Sequence, residues 1–158
     1  MIFATVGTQL PFDRMMEALD AWAAVSGEHV VAQVGPSKRD FSRLDCFQYL
    51  AHAEVERYFK QARVIVAHAG MGSVLTALKH KRPIILIPRD ASRGEHRNDH
   101  QQATARWLEG VPGVHIAWSA EQLIALLNEP LKQTEASLTD FAQPEFIARL
   151  KNYLEESR

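Results

Sequence analysis

The chain has 158 residues, 46% of them hydrophobic and 23% charged, with a formal net charge of −1 at pH 7. That length suits one domain with a sizeable core, and the near-neutral balance argues against duplex nucleic acid, which needs a strong basic excess. The single cysteine, Cys46, rules out an internal disulfide and fits a reducing compartment. Within Cys46-Phe47-Gln48-Tyr49-Leu50 it is expected to be a small core residue. No apolar run approaches the roughly 20 residues a spanning helix needs, and the start Met1-Ile2-Phe3-Ala4-Thr5-Val6 enters a strand without a basic leader. The expectation is a cytoplasmic chain that reaches a membrane only through its surface or a partner.

Residues 2–6 read as the first strand. Phe12, Met15, Met16, Leu19 and Trp22 then fall at i, i+3, i+4, i+7 and i+10, one face of a helix. A second strand, 29–34, stops at Gly35-Pro36, and the polar segment 37–45 is expected to be a mobile loop. Residues 46–50 read as a third strand, and 53–62 as a helix turning Val55, Tyr58 and Phe59 inward. The fourth strand, 63–68, leads into a helix over 71–80, and the fifth, 83–88, is apolar between two prolines. A helix over 99–109 has Ala103, Trp107 and Leu108 as its apolar points. A short strand follows at 114–118, then a helix over 120–128 capped by Ser119, with Gln122 at its third position. Residues 131–143 look irregular, and 144–156 form a last amphipathic helix with Ile147, Leu150 and Leu154 on one side. Continuous apolar strands indicate a sheet covered on both faces. The expected architecture is one Rossmann-like α/β domain over 1–158, a parallel sheet with helices on both sides.

In such sheets ligands bind beyond the carboxyl ends of the strands. Gly7-Thr8-Gln9 follows the first strand, Gly35 the second, His68-Ala69-Gly70-Met71-Gly72-Ser73 the fourth and Arg89-Asp90 the fifth, so glycines and polar residues collect on one rim. Lys79-His80-Lys81-Arg82 falls on the opposite rim, where it solvates a helix end. The run from Val64 to Leu78 reads as strand, tight turn and helix, with the helix's first N–H groups uncovered. Those orphan donors and the helix dipole favour an anion; the alternative is a bare tight turn. The sequence G-x-x-x-x-G-K-[ST] is absent, Leu75 stands where a dinucleotide motif needs its third glycine, and no acid follows the second strand. A P-loop NTPase is excluded, and a nicotinamide or flavodoxin-like protein is disfavoured.

His96 and His100 are four apart, so a metal site has to be weighed. The helix there starts near Asn98, leaving His96 outside it, and no H-E-x-x-H arrangement exists; no metal is expected. His100 and Gln101 are expected to point into the cleft toward hydroxyls, the alternative being a capped surface helix. Arg89, Arg93 and Arg97 share the preceding loop, either reaching phosphate or simply solvated. His68 ends a buried strand, which favours a structural or phosphate-orienting role and makes it a weak candidate for a general base. No Ser–His–acid or paired-carboxylate arrangement stands out around it.

With those residues in view, the chain resembles the C-terminal, donor-binding domain of glycosyltransferase family 28. The matching pieces are Val6-Gly7-Thr8 with Phe12-Asp13, His68-Ala69-Gly70-Met71-Gly72-Ser73, Lys81-Arg82-Pro83-Ile84-Ile85-Leu86-Ile87-Pro88 and Asn98-Asp99-His100-Gln101, in order across most of residues 1–108. It is most similar to the short members that form one half of a split enzyme, in eukaryotic lipid-linked oligosaccharide synthesis and in bacterial exopolysaccharide synthesis. The resemblance implies half of a GT-B fold and an inverting transfer from a UDP-sugar to a lipid-linked acceptor. Gly7, Thr8, Gly70, Gly72 and Ser73 would face the diphosphate, Asn98, His100 and Gln101 the sugar, and Leu50-Ala51-His52 the uracil. Many longer members hold the ribose with a glutamate on the helix after the glycine turn; Thr76 stands there in this chain. The family's general base is expected on the acceptor domain, which implies a membrane-associated partner subunit, with self-association also open, and no cofactor or metal. The competing class is a non-catalytic nucleotide-binding or scaffolding subunit.

Overall fold

A computed structural model of the chain describes residues 1–131. The expected helix over 144–156, and all but Leu131 of the irregular 131–143 stretch, lie outside them. The strands are β1 (Ile2–Thr5), β2 (Val30–Gln33), β3 (Asp45–Phe47), β4 (Val64–His68), β5 (Ile84–Ile87) and β6 (Val114–Ile116). The helices are α1 (Asp13–Ser26), α2 (His52–Gln61), α3 (Met71–Lys79), α4 (His100–Leu108) and α5 (Ala120–Leu127), with a short 3-10 turn at Ala91–Arg93 that the sequence did not announce.

All five strand pairings are parallel, and the sheet order is β3-β2-β1-β4-β5-β6. Successive strand residues face opposite sides, so an unbroken apolar strand feeds two cores. On one side Ile2, Ala4, Val66, Ile85 and Ile87 pack with Met15, Met16, Leu19 and Trp22 of α1 and Leu123 and Leu127 of α5. On the other, Phe3, Ile65, Ala67 and Leu86 meet Phe59 of α2, Val74 and Leu78 of α3 and Leu108 of α4. Each such side chain contributes about 1.5–3 kcal/mol on burial.

Local chemistry sets the element ends. Gly27 stops α1 in the left-handed region at φ 71°, its N–H donating to the Ala23 carbonyl. Ser119 caps α5 as expected, accepting from the Gln122 amide, while the Gln122 side chain accepts from the Trp118 amide at 2.7 Å.

Several expectations need correcting. The segment 37–45 is anchored: the Ser37 hydroxyl donates to Asp13 at 2.6 Å, the Arg43 amide to Asp20 at 2.8 Å, and Phe41 and Leu44 are buried in the α1-side core. The third strand is Asp45–Phe47 rather than 46–50, and every residue of it is exposed. Among the described residues it is the sheet edge and pairs only with β2, so Cys46 is an exposed residue and not a core one. Of the inward residues expected on α2, Phe59 alone is fully buried; Val55 and Tyr58 are half-buried against the same core. The inward face of α4 is Gln101, Thr104, Ala105 and Leu108, with Ala103 outside. Trp118 lies beyond β6, exposed, under the Arg106 guanidinium. On the far rim, Lys79 and His80 both pair with Glu56 rather than facing solvent alone.

Candidate functional site

β1 is flanked by β2 on one side and β4 on the other, so the chain's winding reverses there. A crevice opens at the carboxyl ends of strands at such a switch point. Here it is a cavity of about 220 Å³, walled by residues 6–10 after β1 and by His68, Arg89, His96 and Gln101.

His68, the last residue of β4, sits between two glycines. A Cβ on Gly70 would stand 2.7 Å from its Cε1, and one on Gly7 3.2 Å from its Nε2. Gly7 also has φ +76°, which side-chain-bearing residues rarely adopt. Burial pushes the His68 ring down to a pKa of about 4, assisted by the nearby Arg89 and His96 charges. The ring is therefore neutral at pH 7.

α3 begins directly behind it. Gly70 is its N-cap in extended conformation, with no side chain capping the helix, and its own N–H turns back to the His68 carbonyl at 2.7 Å. The first-turn amides are left without intrahelical acceptors. Among the described residues a Cβ on Gly72 would meet no atom within 4 Å, so their packing does not demand glycine there. Ser73 is half-buried on the same turn. Thr76 donates its hydroxyl to the Gly72 carbonyl at 2.9 Å, spending its proton within the helix.

Arg89 is neither the phosphate contact nor the solvated side chain that its loop position suggests. It is 2% exposed, and its guanidinium donates to the carbonyls of Val6, Leu10, Pro11 and Glu95. It lies 4.9 Å from the Phe12 ring centroid, and desolvation lowers its pKa to about 10. Its work is to fix the β1–α1 loop. Arg93 is exposed and pairs with Asp90 at 3.6 Å, and Arg97 is exposed.

Gln101 reaches the cavity as expected, but both ends of its amide are engaged: Oε1 accepts from the Arg89 amide at 3.0 Å and Nε2 lies 3.0 Å from His68 Nδ1. His100, expected beside it in the cleft, is exposed and outside the cavity wall. Asn98 is exposed, and its Oδ1 accepts from the His100 amide at 3.0 Å, one residue ahead of the α4 N-cap Asp99. Thr8 lines the cavity, exposed. Leu50 donates its amide to Gln33 Oε1 at 2.9 Å, with Ala51 and His52 exposed beyond it.

Sequence reasoning missed Gln33 and Glu95, and weighed His96 only as a metal ligand. Gln33 is buried and also donates to Thr5 Oγ1 and the Gly7 carbonyl, tying the end of β2 to the end of β1 and to the loops after β1 and β3. A lone amide in the apolar run Val30-Val31-Ala32-Gln33-Val34 was the available sign. His96 lines the same cavity as His68. Among the described residues, no three His, Cys, Asp or Glu side chains are grouped as a metal site requires, and no helix is long and apolar enough to cross a membrane.

The sequence pattern of the glycosyltransferase family 28 C-terminal domain matches residues 1–153. The chain belongs to that family. This family 28 domain is 29% identical over 97 residues to the UDP-N-acetylglucosamine transferase subunit ALG13 of Eremothecium gossypii, a match covering 60% of this chain and 46% of that relative. The matched segment thus spans less than half of the curated relative. Among solved structures, the domain is similar to the solution structure of ALG13, with a TM-score of 0.61, 19% identity and 94% of each chain covered. It is also similar to MurG of Acinetobacter baumannii, with a TM-score of 0.61 at 17% identity, over 98% of this chain and 49% of that one. A UDP-glucose:anthocyanidin 3-O-glucosyltransferase solved with UDP gives a TM-score of 0.59 at 17% identity, over 98% and 34%. These likenesses establish the fold: the six-stranded parallel sheet is that of GT-B glycosyltransferases, as the resemblance implied.

Proposed function

We propose that this family 28 domain is the donor-binding, catalytic subunit of a two-component inverting glycosyltransferase that moves a sugar from a UDP-sugar to a lipid-linked acceptor. The observation that carries this reading is the uncapped start of α3, bracketed by Gly70 and Gly72 and opening beside His68 at the sheet's switch point. Gly7, Thr8, Gly70, Gly72 and Ser73 take the diphosphate, Asn98 and His100 the sugar, and the chain at Leu50-Ala51-His52 the uracil. Gln101 supports His68 instead of reading the sugar.

In the transfer, the bond from the anomeric carbon to the diphosphate oxygen breaks as the acceptor oxygen attacks from the opposite face. Negative charge builds on the departing diphosphate. Fixed N–H donors at the helix mouth stabilise that charge more in the transition state than in the ground state, so the reading needs no resident cofactor or metal. The acceptor proton needs a base. His68 is ill suited, since burial holds its pKa near 4 and Nδ1 is occupied by Gln101. The base and the acceptor site are therefore assigned to a membrane-associated partner subunit, which would hold this chain at the cytoplasmic face.

Calorimetry with UDP and a panel of UDP-sugars, followed by transfer assays with and without the partner, tests the reading. Saturable UDP-sugar binding and partner-dependent transfer are expected. Full transfer by the isolated chain would refute the two-component arrangement, and absence of UDP binding would leave a scaffolding subunit.

A further inference from the structure

We propose that Gln101 is a positioning residue that fixes His68 as its Nε2–H tautomer, so that the imidazole presents a hydrogen-bond donor, not a lone pair, to the cavity. The polarity of the contact is set at the backbone of Arg89. The backbone N–H of Arg89 can only donate, and its acceptor is Oε1 of Gln101 at 3.0 Å. That contact orients the carboxamide, which is otherwise ambiguous between O and N. The NH2 end must then be the atom 3.0 Å from His68 Nδ1. An amide NH2 can only donate, so Nδ1 holds a lone pair and the single proton of the neutral ring sits on Nε2.

The relay is rigid because its first member is. Arg89 cannot shift without breaking guanidinium contacts to the carbonyls of Val6, Leu10, Pro11 and Glu95, and Gln101 is itself buried. At the other end, Nε2 faces the two glycine turns, 3.2 Å from a Cβ built on Gly7 and 3.1 Å from one on Gly70. The donor therefore emerges between the turn after β1 and the mouth of α3. This deepens the donor-site reading and rests on it for the ligand: a diphosphate oxygen there accepts from Nε2–H as well as from backbone amides. It also departs from what the resemblance implied, because both ends of the Gln101 amide are first engaged within the protein, by Arg89 and His68.

Long-range 1H–15N correlation of the 15N-labelled protein reads the tautomer directly. In the wild type, His68 Nδ1 should resonate in the lone-pair range and Nε2 in the N–H range. Gln101→Glu places an acceptor against both the Arg89 amide and Nδ1, so it should move His68 Nδ1 into the N–H range. A wild-type ring protonated on Nδ1 overturns the proposal, whether or not the variant folds; so does a folded Gln101→Glu variant with an unchanged ring pattern. Adding UDP tests the donor-site reading separately. The Nε2–H proton should shift on titration, whereas no binding of UDP would remove that reading and leave the tautomer decided by the free protein.

Discussion

Arg14 forks onto Glu95 across the molecule, Nε to Oε2 and Nη2 to Oε1, both at 3.0 Å. The same carboxylate accepts from the Asp90 amide at 2.9 Å, and Arg14 also donates to the Pro88 carbonyl at 3.3 Å. One acid thus ties α1 to the loop after β5 and seats the next residue, His96, at the cavity. Both side chains are largely shielded, at 19% and 12% exposed. Removing one member of such a pair strands the other charge, which costs 3–5 kcal/mol when fully buried. For Glu95→Ala, discounted for partial exposure, the expected loss is about 2–3 kcal/mol. Urea unfolding measures it, and a midpoint matching the wild type would mean the pair does not hold the loop.

Arg89 makes a sharper case. Its guanidinium serves four carbonyls in a fixed fork, and a lysine ammonium has neither the geometry nor the number of donors to replace it. Arg89→Lys leaves at least one shielded carbonyl unpaired, at about 1–3 kcal/mol each. The loop at 7–11 should lose amide-exchange protection before the sheet does. Equal protection in the two proteins would refute the clamp.

These two arginines also mark where the sequence stopped being readable. The sheet was legible because Ile2–Thr5, Val64–His68 and Ile84–Ile87 are unbroken apolar runs, and a strand buried on both faces leaves that trace. The site's rim was legible because turns that bring backbone close to a ring or ligand require glycine, as at Gly7 and Gly70. Partnership was not legible. Arg89 looks like a solvated loop arginine because its partners are backbone carbonyls, which every residue carries. Gln101 looks like a sugar ligand until its amide is seen spanning Arg89 and His68. Cys46 sits in an apolar-looking stretch, yet edge position in a sheet depends on strand order, which no local periodicity encodes.

Gly70 and Gly72 should respond in opposite ways to the same substitution. At Gly70 the added methyl meets His68 Cε1 at 2.7 Å, and Gln101 keeps that ring from swinging aside. Gly70→Ala should destabilise by about 1–3 kcal/mol, the usual range for overpacking. At Gly72 the methyl meets open space within the first turn of α3, and helix propensity favours alanine by up to about 1 kcal/mol. Gly72→Ala should therefore leave the melting temperature unchanged or raised while weakening UDP binding, because the methyl occupies the approach to the amides. Calorimetry paired with thermal melts separates the effects. Full UDP affinity in a stable Gly72→Ala protein would place the diphosphate elsewhere.

His68 should give the domain an acid-side stability slope well above the carboxylate range. Its pKa falls from 6.5 to about 4 on folding, so between those values the unfolded chain binds the proton and the folded one does not. Stability then rises with pH across that window, and acidification from pH 6.5 to 4 removes up to about 3 kcal/mol, with no further loss from this group below it. His115, also lowered by burial, adds a contribution of the same sign. Glu28, held low by Arg63, and Asp90, held low by Ser92, lose their contributions only as pH falls through their depressed folded values. The interval from pH 6.5 to 4.5 is thus governed by histidine. His68→Gln, which cannot titrate, should flatten most of the slope in urea midpoints taken over that interval and leave the remainder to His115. A variant with the wild-type slope would show that the ring already takes up its proton in the folded protein.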